Sequence, residues 1–357
     1  MLTFPVLPGV EINVCLLAFI GFAVGVVGGF IGVGGGYMVT PALVVLGLPG
    51  NLAVGTSITH ITGTSVVATL RHRSLGNVDV KLGALLMVGT LGGLELGVRL
   101  LNWCKSLGLS SEVVLGVSLV LLTTVGGYTT VEARSAKRRL DEAVAHGSAV
   151  PRDLTVSSIC KKVQAIRIPP MVDLPACRLR LSACLIVLLG FCTGLLSGFM
   201  GVGGAFILTP ALIYLFGVPS LVAVGTVLFQ IVFSAAYGCI RHGMSGNVLI
   251  FAAVIMLLGA SVGAQIGSLG TRYVRGPSIR GVLGLSVVVA AVGVLFKLVH
   301  ALTGQELAWL QRVAEVCTFG GMGLLVMLIF GLLAMALMYR RGMRVPKRFE
   351  SLLVRGD

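Results

Sequence analysis

Apolar stretches of about 18–25 residues recur along the chain, each long enough to cross a hydrocarbon core ~30 Å thick. By run length and by the polar breaks between runs, the first half predicts helices at 13–29, 37–48, 52–70, 79–101 and 112–130. A polar, basic stretch at 131–180 follows. The second half predicts helices at 182–199, 205–217, 221–240, 247–270, 281–300 and 316–340. These segments are rich in Gly, Ala, Val and Leu, which argues for packed helices. A membrane barrel would need short segments of alternating character. The expected fold class is an all-α polytopic membrane protein.

The pattern then repeats itself. Gly28-Gly29-Phe30-Ile31-Gly32-Val33-Gly34-Gly35-Gly36 leads into Thr40-Pro41-Ala42-Leu43. Ser197-Gly198-Phe199-Met200-Gly201-Val202-Gly203-Gly204 leads into Thr209-Pro210-Ala211-Leu212, 169 positions later. Ala53-Val54-Gly55-Thr56 returns as Ala223-Val224-Gly225-Thr226, and Arg71-His72 as Arg241-His242. Two long apolar copies, each broken by a glycine run, are the sequence pattern of a secondary transporter with its site between the halves. The expected units are a first transmembrane repeat at 13–130, a basic cytoplasmic linker at 131–180, a second repeat at 181–340 and a basic cytoplasmic tail at 341–357.

Residues 13–48 as one straight helix would reach about 54 Å at ~1.5 Å per residue, too long for one crossing. Glycine is also a poor helix interior residue, at about 1 kcal/mol relative to Ala. Each glycine run therefore predicts two helices joined by an irregular loop, either a re-entrant hairpin or two crossings, with no net change of side. On that reading the N-terminus lies outside, and the C-terminus and linker lie in the cytoplasm. Of the 27 Lys and Arg, 22 then fall inside and 5 outside. One crossing per pair would split them 16 against 11, a weaker positive-inside bias. Three net crossings separate the copies, so the second is upside down relative to the first. The expectation is two inverted-topology repeats.

Composition supports the membrane reading. Mean hydropathy is +1.01, 56% of residues are hydrophobic and 11% are charged. The net charge of +14 would suggest nucleic acid in a soluble chain. Here the basic residues lie in loops without interleaved aromatics, so topology accounts for them. Met1 to Asn13 holds no Lys or Arg, unlike a secretory leader. Eight cysteines form no CxxC pair and mostly lie in apolar runs, as small core residues do. No metal site or cofactor is expected. The glycine runs lack the Gly-Lys-Ser/Thr ending of a P-loop.

Candidate chemistry starts at the glycine runs. A short helix beginning near Tyr37 or Phe206 would aim free N–H groups and its positive dipole end into the loop. Such an end suits an anion; close helix packing through glycine is the alternative. Gly32, Gly34, Gly35, Gly36, Gly201, Gly203 and Gly204 are therefore candidate substrate-binding residues, with Thr40 and Thr209. Thr56, Ser57 and His60 begin the next helix, where Thr56 and His60 share a face at i, i+4. The second copy keeps Thr226 and places Gln230 opposite His60. These side chains could bind substrate, or bond back to their own helix. His60 and Glu95 are candidates for proton coupling, since a carboxylate at membrane depth is a functional hypothesis by default. The alternative for Glu95 is a carboxylate near the outer interface, paired with Arg99. Arg71 and Arg241, at helix ends on opposite sides, could draw anions into two vestibules or simply snorkel. Gly89, Gly93 and Gly97, with Gly259, Gly263 and Gly267, allow close helix approach. A homodimer could form through those faces.

The duplicated Gly-Phe-Ile-Gly-Val-Gly-Gly-Gly…Thr-Pro-Ala-Leu and Ala-Val-Gly-Thr segments resemble the TauE/SafE sulfite-exporter family of membrane permeases. The likeness covers most of 13–130 and 182–340. It implies a polytopic carrier of small sulfur-containing anions, such as sulfite or organosulfonates, with export the usual assignment. It also implies a site around Gly32–Gly36 and Gly201–Gly204, with Thr56 and Thr226 nearby. The long linker and Glu95 depart from the family's usual pattern. The sequence therefore predicts a non-enzymatic secondary anion transporter of the prokaryotic inner membrane, working by alternating access. An anion channel and a scaffold of an envelope complex are the alternatives. A Ser57/His60 hydrolase would lack the Gly-x-Ser-x-Gly elbow.

Overall fold

The glycine runs do break helices, and the breaks place the rest of the chain. A computed structural model describes residues 2–4, 7–32, 34–145, 158–166, 168–177, 179–201, 203–274, 276–303, 308–341 and 343. The 341–357 tail and part of the linker thus lie largely outside the described residues. In the first half stand α1 (Val14–Ile31), α2 (Gly36–Val45), α3 (Gly50–Ser74), α4 (Val80–Ser106) and α5 (Ser110–Ala145). After α6 (Ser158–Ala165) the same order returns in α7 (Ala183–Met200), α8 (Ala205–Tyr214), α9 (Ser220–Met244), α10 (Ile250–Gly270) and α11 (Gly276–Leu302). A helix α12 (Ala308–Glu315), a π-helical turn at Val316–Gly320 and α13 (Gly321–Arg340) close the chain. The only described strands form two antiparallel hairpins, β1 (Leu2–Phe4) with β2 (Leu7–Ile12) and β3 (Met171–Leu174) with β4 (Leu179–Ser182).

Eight of the described helical segments are long and apolar enough to cross a membrane. Large apolar side chains such as Val88, Leu258, Val262 and Met327 remain exposed on outer faces. That much bare apolar surface suits hydrocarbon. The protein is an all-α polytopic membrane protein. Helix α3 falls below the hydropathy of a span because its wall carries Thr56, Ser57, Thr59, His60, Thr62, Thr64 and Ser65. Most of those side chains are buried, so α3 is an inner helix.

α3 and α9 cross antiparallel at the centre. Gly225, near the start of α9, lies against the backbone of Asn77, just past the end of α3. Gly55, near the start of α3, lies against Asn247, just past the end of α9. Around this pair the halves interlock: α1 lies along α10, and α4 along α7. Glycine makes both seams. Gly21, Gly25 and Gly29 meet the backbone of Met256, Ala260 and Ala264, while Gly259, Gly263 and Gly267 meet Ala18, Phe22 and Val26. The other seam sets Gly89, Gly93 and Gly97 against Val187, Phe191 and Leu195, with Gly190, Gly194 and Gly198 against Leu86, Thr90 and Leu94. A β-carbon at any of these positions would run into the facing backbone, so the chains approach as only glycine permits. Both faces considered for a homodimer are thus filled within the chain.

The linker is more structured than its polarity suggests. Good helix formers carry α5 through Ala136, Lys137 and Arg138 to Ala145. Farther on, Gln164 donates to the Phe216 carbonyl at 2.9 Å, and the Cys177 thiol lies 3.8 Å from Asp79 Oδ2. Residues 308–315, expected as loop, are helical: Leu310 and Ala314, one turn apart, are buried while Trp309 stays exposed.

Candidate functional site

Helices α2 and α8 are each 10 residues long, about 15 Å, or half the hydrocarbon thickness. Gly32 and Gly201 close α1 and α7 in the left-handed conformation, with φ 77° and 68°. Gly35 and Gly204 open α2 and α8 with φ 78° and 71°, and neither helix has a side-chain cap. Left-handed backbone at three glycines per break, Gly34 and Gly203 included, is what lets the chain reverse inside so small a volume. The start of α4, by contrast, is capped by the Asp79 carboxylate at 3.0 Å from Leu82 N. The two short helices therefore present uncapped N–H groups, the receptive end of the dipole.

The two breaks meet. A β-carbon placed on Gly34 would lie 3.2 Å from Ile61 and 3.8 Å from Ile231. One placed on Gly203 would lie 3.4 Å from Ile61 and 3.7 Å from Ile231. Both loop tips thus touch the same two isoleucines, one from each half. Behind the tips, Tyr37 and Phe206 stack with centroids 6.0 Å apart, so the starts of α2 and α8 face each other. The Tyr37 hydroxyl is held 2.6 Å from Ser286 on α11. Gly32 meets Val224 and Gly201 meets Val54, the same contact with the halves exchanged. Those two glycines serve close packing.

Several polar side chains on α2, α3 and α9, the helices that meet here, have no partner among the described residues. Thr40 Oγ1, Ser57 Oγ, Ser65 Oγ, and both Gln230 polar atoms are buried and unpaired. Such groups are costly to leave unmet in an apolar interior. Thr209 makes one long contact, 3.5 Å, to the Gly32 carbonyl of the other half. Gly36, the first residue of α2, is buried at the same place. At His60, Thr64 Oγ1 lies 3.0 Å from the His60 carbonyl and 3.3 Å from Nε2; with the hydroxyl given to the carbonyl, Nε2–H is the donor to Thr64. Nδ1 of His60 is buried and has no partner among the described residues.

Other expected residues stand elsewhere. Thr56 accepts from Leu249 N at 3.0 Å and Thr226 from Asp79 N at 2.9 Å. Each threonine thereby fastens the start of the fourth helix of the opposite half. Glu95 is engaged by Arg241 through two bonds of 2.6 and 2.8 Å, by Arg99 at 3.0 Å and by Tyr237 at 3.0 Å. Glu95 keeps 23% of its side chain exposed, and none of its polar partners is a loop residue. Arg71 stays partly exposed at the end of α3, whereas Arg241 is tied to Glu95.

Sequence reading missed Ser65, Ile61 and Ile231 at the junction. It also missed the histidines that follow Arg71 and Arg241 as loop anchors. His72 Nε2 donates to the Gly29 carbonyl at 3.3 Å, and His242 Nε2 to the Gly198 carbonyl at 3.1 Å. Those carbonyls belong to the last turns of α1 and α7, which lack helical partners because the helices end there. The duplicated Arg-His pair was the available signal. A cavity of about 280 Å³ opens away from the junction, at the far end of α2, lined by Leu48, Glu112, Lys297 and His300 among others.

Interlocked halves, two facing broken helices and a buried polar junction define a multi-pass membrane protein of the transporter class. A family model described as Sulfite exporter TauE/SafE matches residues 17–294 and 185–349, and the chain belongs to that family. Its relatives include the Bacillus subtilis (strain 168) protein named Probable membrane transporter protein YunE. That protein is 26% identical over 286 residues, covering 78% of this chain and 95% of its own. A Xylella fastidiosa (strain 9a5c) protein named Probable membrane transporter protein is also 26% identical over 286 residues, covering 78% and 92%. No solved structure matches the chain.

Proposed function

We propose that the protein is a secondary transporter that exports small sulfur-containing anions, such as sulfite or organosulfonates, by alternating access between two inverted halves. The observation that carries this reading is the meeting of both glycine breaks at one pair of residues. Two uncapped helix starts then point at one place from opposite halves. An anion there would be held by N–H groups of both loops, by the Ser57 hydroxyl and by the Gln230 amide. Thr56 and Thr226 accept hydrogen bonds from the frame, yet each retains a hydrogen to give. The antiparallel crossing of α3 and α9 supports inversion, since exchanging the halves exchanges the two ends.

His60 is the proton-handling group in this proposal. With Nε2 facing Thr64, an anion meets a donor at Nδ1 only on the protonated ring. Glu95, the other candidate, is surrounded by its own guanidinium partners and is assigned to the α4–α9 contact. The setting is the prokaryotic inner membrane, with the N-terminus outside and the C-terminus in the cytoplasm. Uptake into proteoliposomes tests the reading with a panel of sulfite, thiosulfate, sulfate, taurine, sulfoacetate and chloride, with and without an imposed pH gradient. Saturable uptake of sulfur anions that accelerates with the gradient is expected. Uptake that favoured chloride and never saturated would replace the carrier with a channel.

A further inference from the structure

Ile61 and Ile231 are equivalent positions of the two halves, and both are fully buried. Both glycine tips lie against them, so the two isoleucines pack where the two breaks meet. On α3, Ser57 and Ser65 stand one turn before and one turn after Ile61, on the same face. Each is about 6 Å along the axis from Ile61. Both hydroxyls are buried without a partner among the described residues. A β-carbon on Gly34 would lie 3.5 Å from Ser65 Oγ, so that hydroxyl faces the first loop. The matching positions on α9 are Val227 and Ala235, so this line of hydroxyls belongs to one half only.

From this arrangement we propose that Ile61 and Ile231 form the barrier of the transport path, with the Ser57 and Ser65 hydroxyls as waiting positions on its two sides. The proposal deepens the carrier reading above and rests on it. An anion with part of its water shell cannot enter a seal of two branched apolar side chains without losing that water. Passage therefore requires the isoleucines to part. Left-handed glycine loops are among their neighbours at the seal. Barrier width also sets which sulfonates fit, so the pair acts as a size filter.

Two measurements decide the matter. In reconstituted Ile61→Ala/Ile231→Ala protein, an imposed potassium diffusion potential in chloride buffer should decay about tenfold faster than with the unaltered chain. The double variant should also admit bulkier sulfonates. In a background with the native cysteines replaced, Ser57→Cys and Ser65→Cys should react with a charged, membrane-impermeant thiol reagent from opposite sides. Both cysteine changes leave Ile61 and Ile231 in place, and labelling is read without transport, so this pair decides alone if the double alanine variant folds poorly. Reaction of both cysteines from one side only would overturn the proposal. So would a well-folded double alanine variant with unchanged leak and unchanged size range. The leak reading does not depend on which anion is the substrate. An unaltered protein that carries no sulfur anion, beside a leaking double variant, would remove the assigned substrate and leave the barrier standing.

Discussion

Thr56 and Thr226, picked out as substrate ligands, also hold the frame together. Their duplication was visible in the sequence; their acceptors' partners, Leu249 N and Asp79 N, lie 193 and 147 positions away and were not. Replacing either with Val leaves a buried N–H unmet, which costs about 1–3 kcal/mol. Thr56→Val and Thr226→Val should therefore each lower the unfolding midpoint in detergent, read by thermal size-exclusion. Gln230→Leu is the converse. Its amide has no partner among the described residues, so the midpoint should hold or rise while sulfur-anion uptake falls. The acid residue divides in the same way. Glu95→Gln weakens a partly exposed ion pair by about 1 kcal/mol and should keep the pH-gradient response. His60→Gln should abolish that response. Ile61 and Ile231 escaped notice at this scale because an isoleucine in an apolar helix carries no signal until its neighbours are known.

Among the elements, the long apolar helices were legible from run length and the breaks from glycine, whereas the short helices α6 and α12 were not. The ends were less so, because α5 continues on helix-forming residues past the last apolar one. What no local pattern could say is which helix each glycine stripe faces. The stripe at Gly89, Gly93 and Gly97 could have met another copy of the chain, but it meets α7. Gly93→Leu should therefore force α4 from α7 and remove folded protein from the membrane fraction. Gly116→Ala is the matched control. Gly116 sits in α5 with nothing within 4 Å of an added β-carbon, so that variant should accumulate normally or slightly better.

For the whole molecule, orientation was the boldest expectation, and it rested on where Lys and Arg fall. Contacts alone set the ends of α3 and α9 apart, because Asn77 lies against Gly225 and Asn247 against Gly55. Ser74 and Met244, exposed at the two equivalent helix ends, give the test. Ser74→Cys and Met244→Cys, each in a cysteine-free background, should be labelled from opposite aqueous compartments of intact cells. Labelling of both from one compartment would mean that the bilayer does not lie across the α3–α9 pair.

The interlock of α1 with α10 and α4 with α7 also bears on how the protein is made. When the ribosome has delivered α1 to α5, both glycine stripes of that half are bare, and their mates are still unmade. The early product is a set of inserted but unmated helices. Biogenesis can finish only after α10 has entered the bilayer, and a polypeptide released early, between the halves, offers quality-control proteases an unassembled substrate.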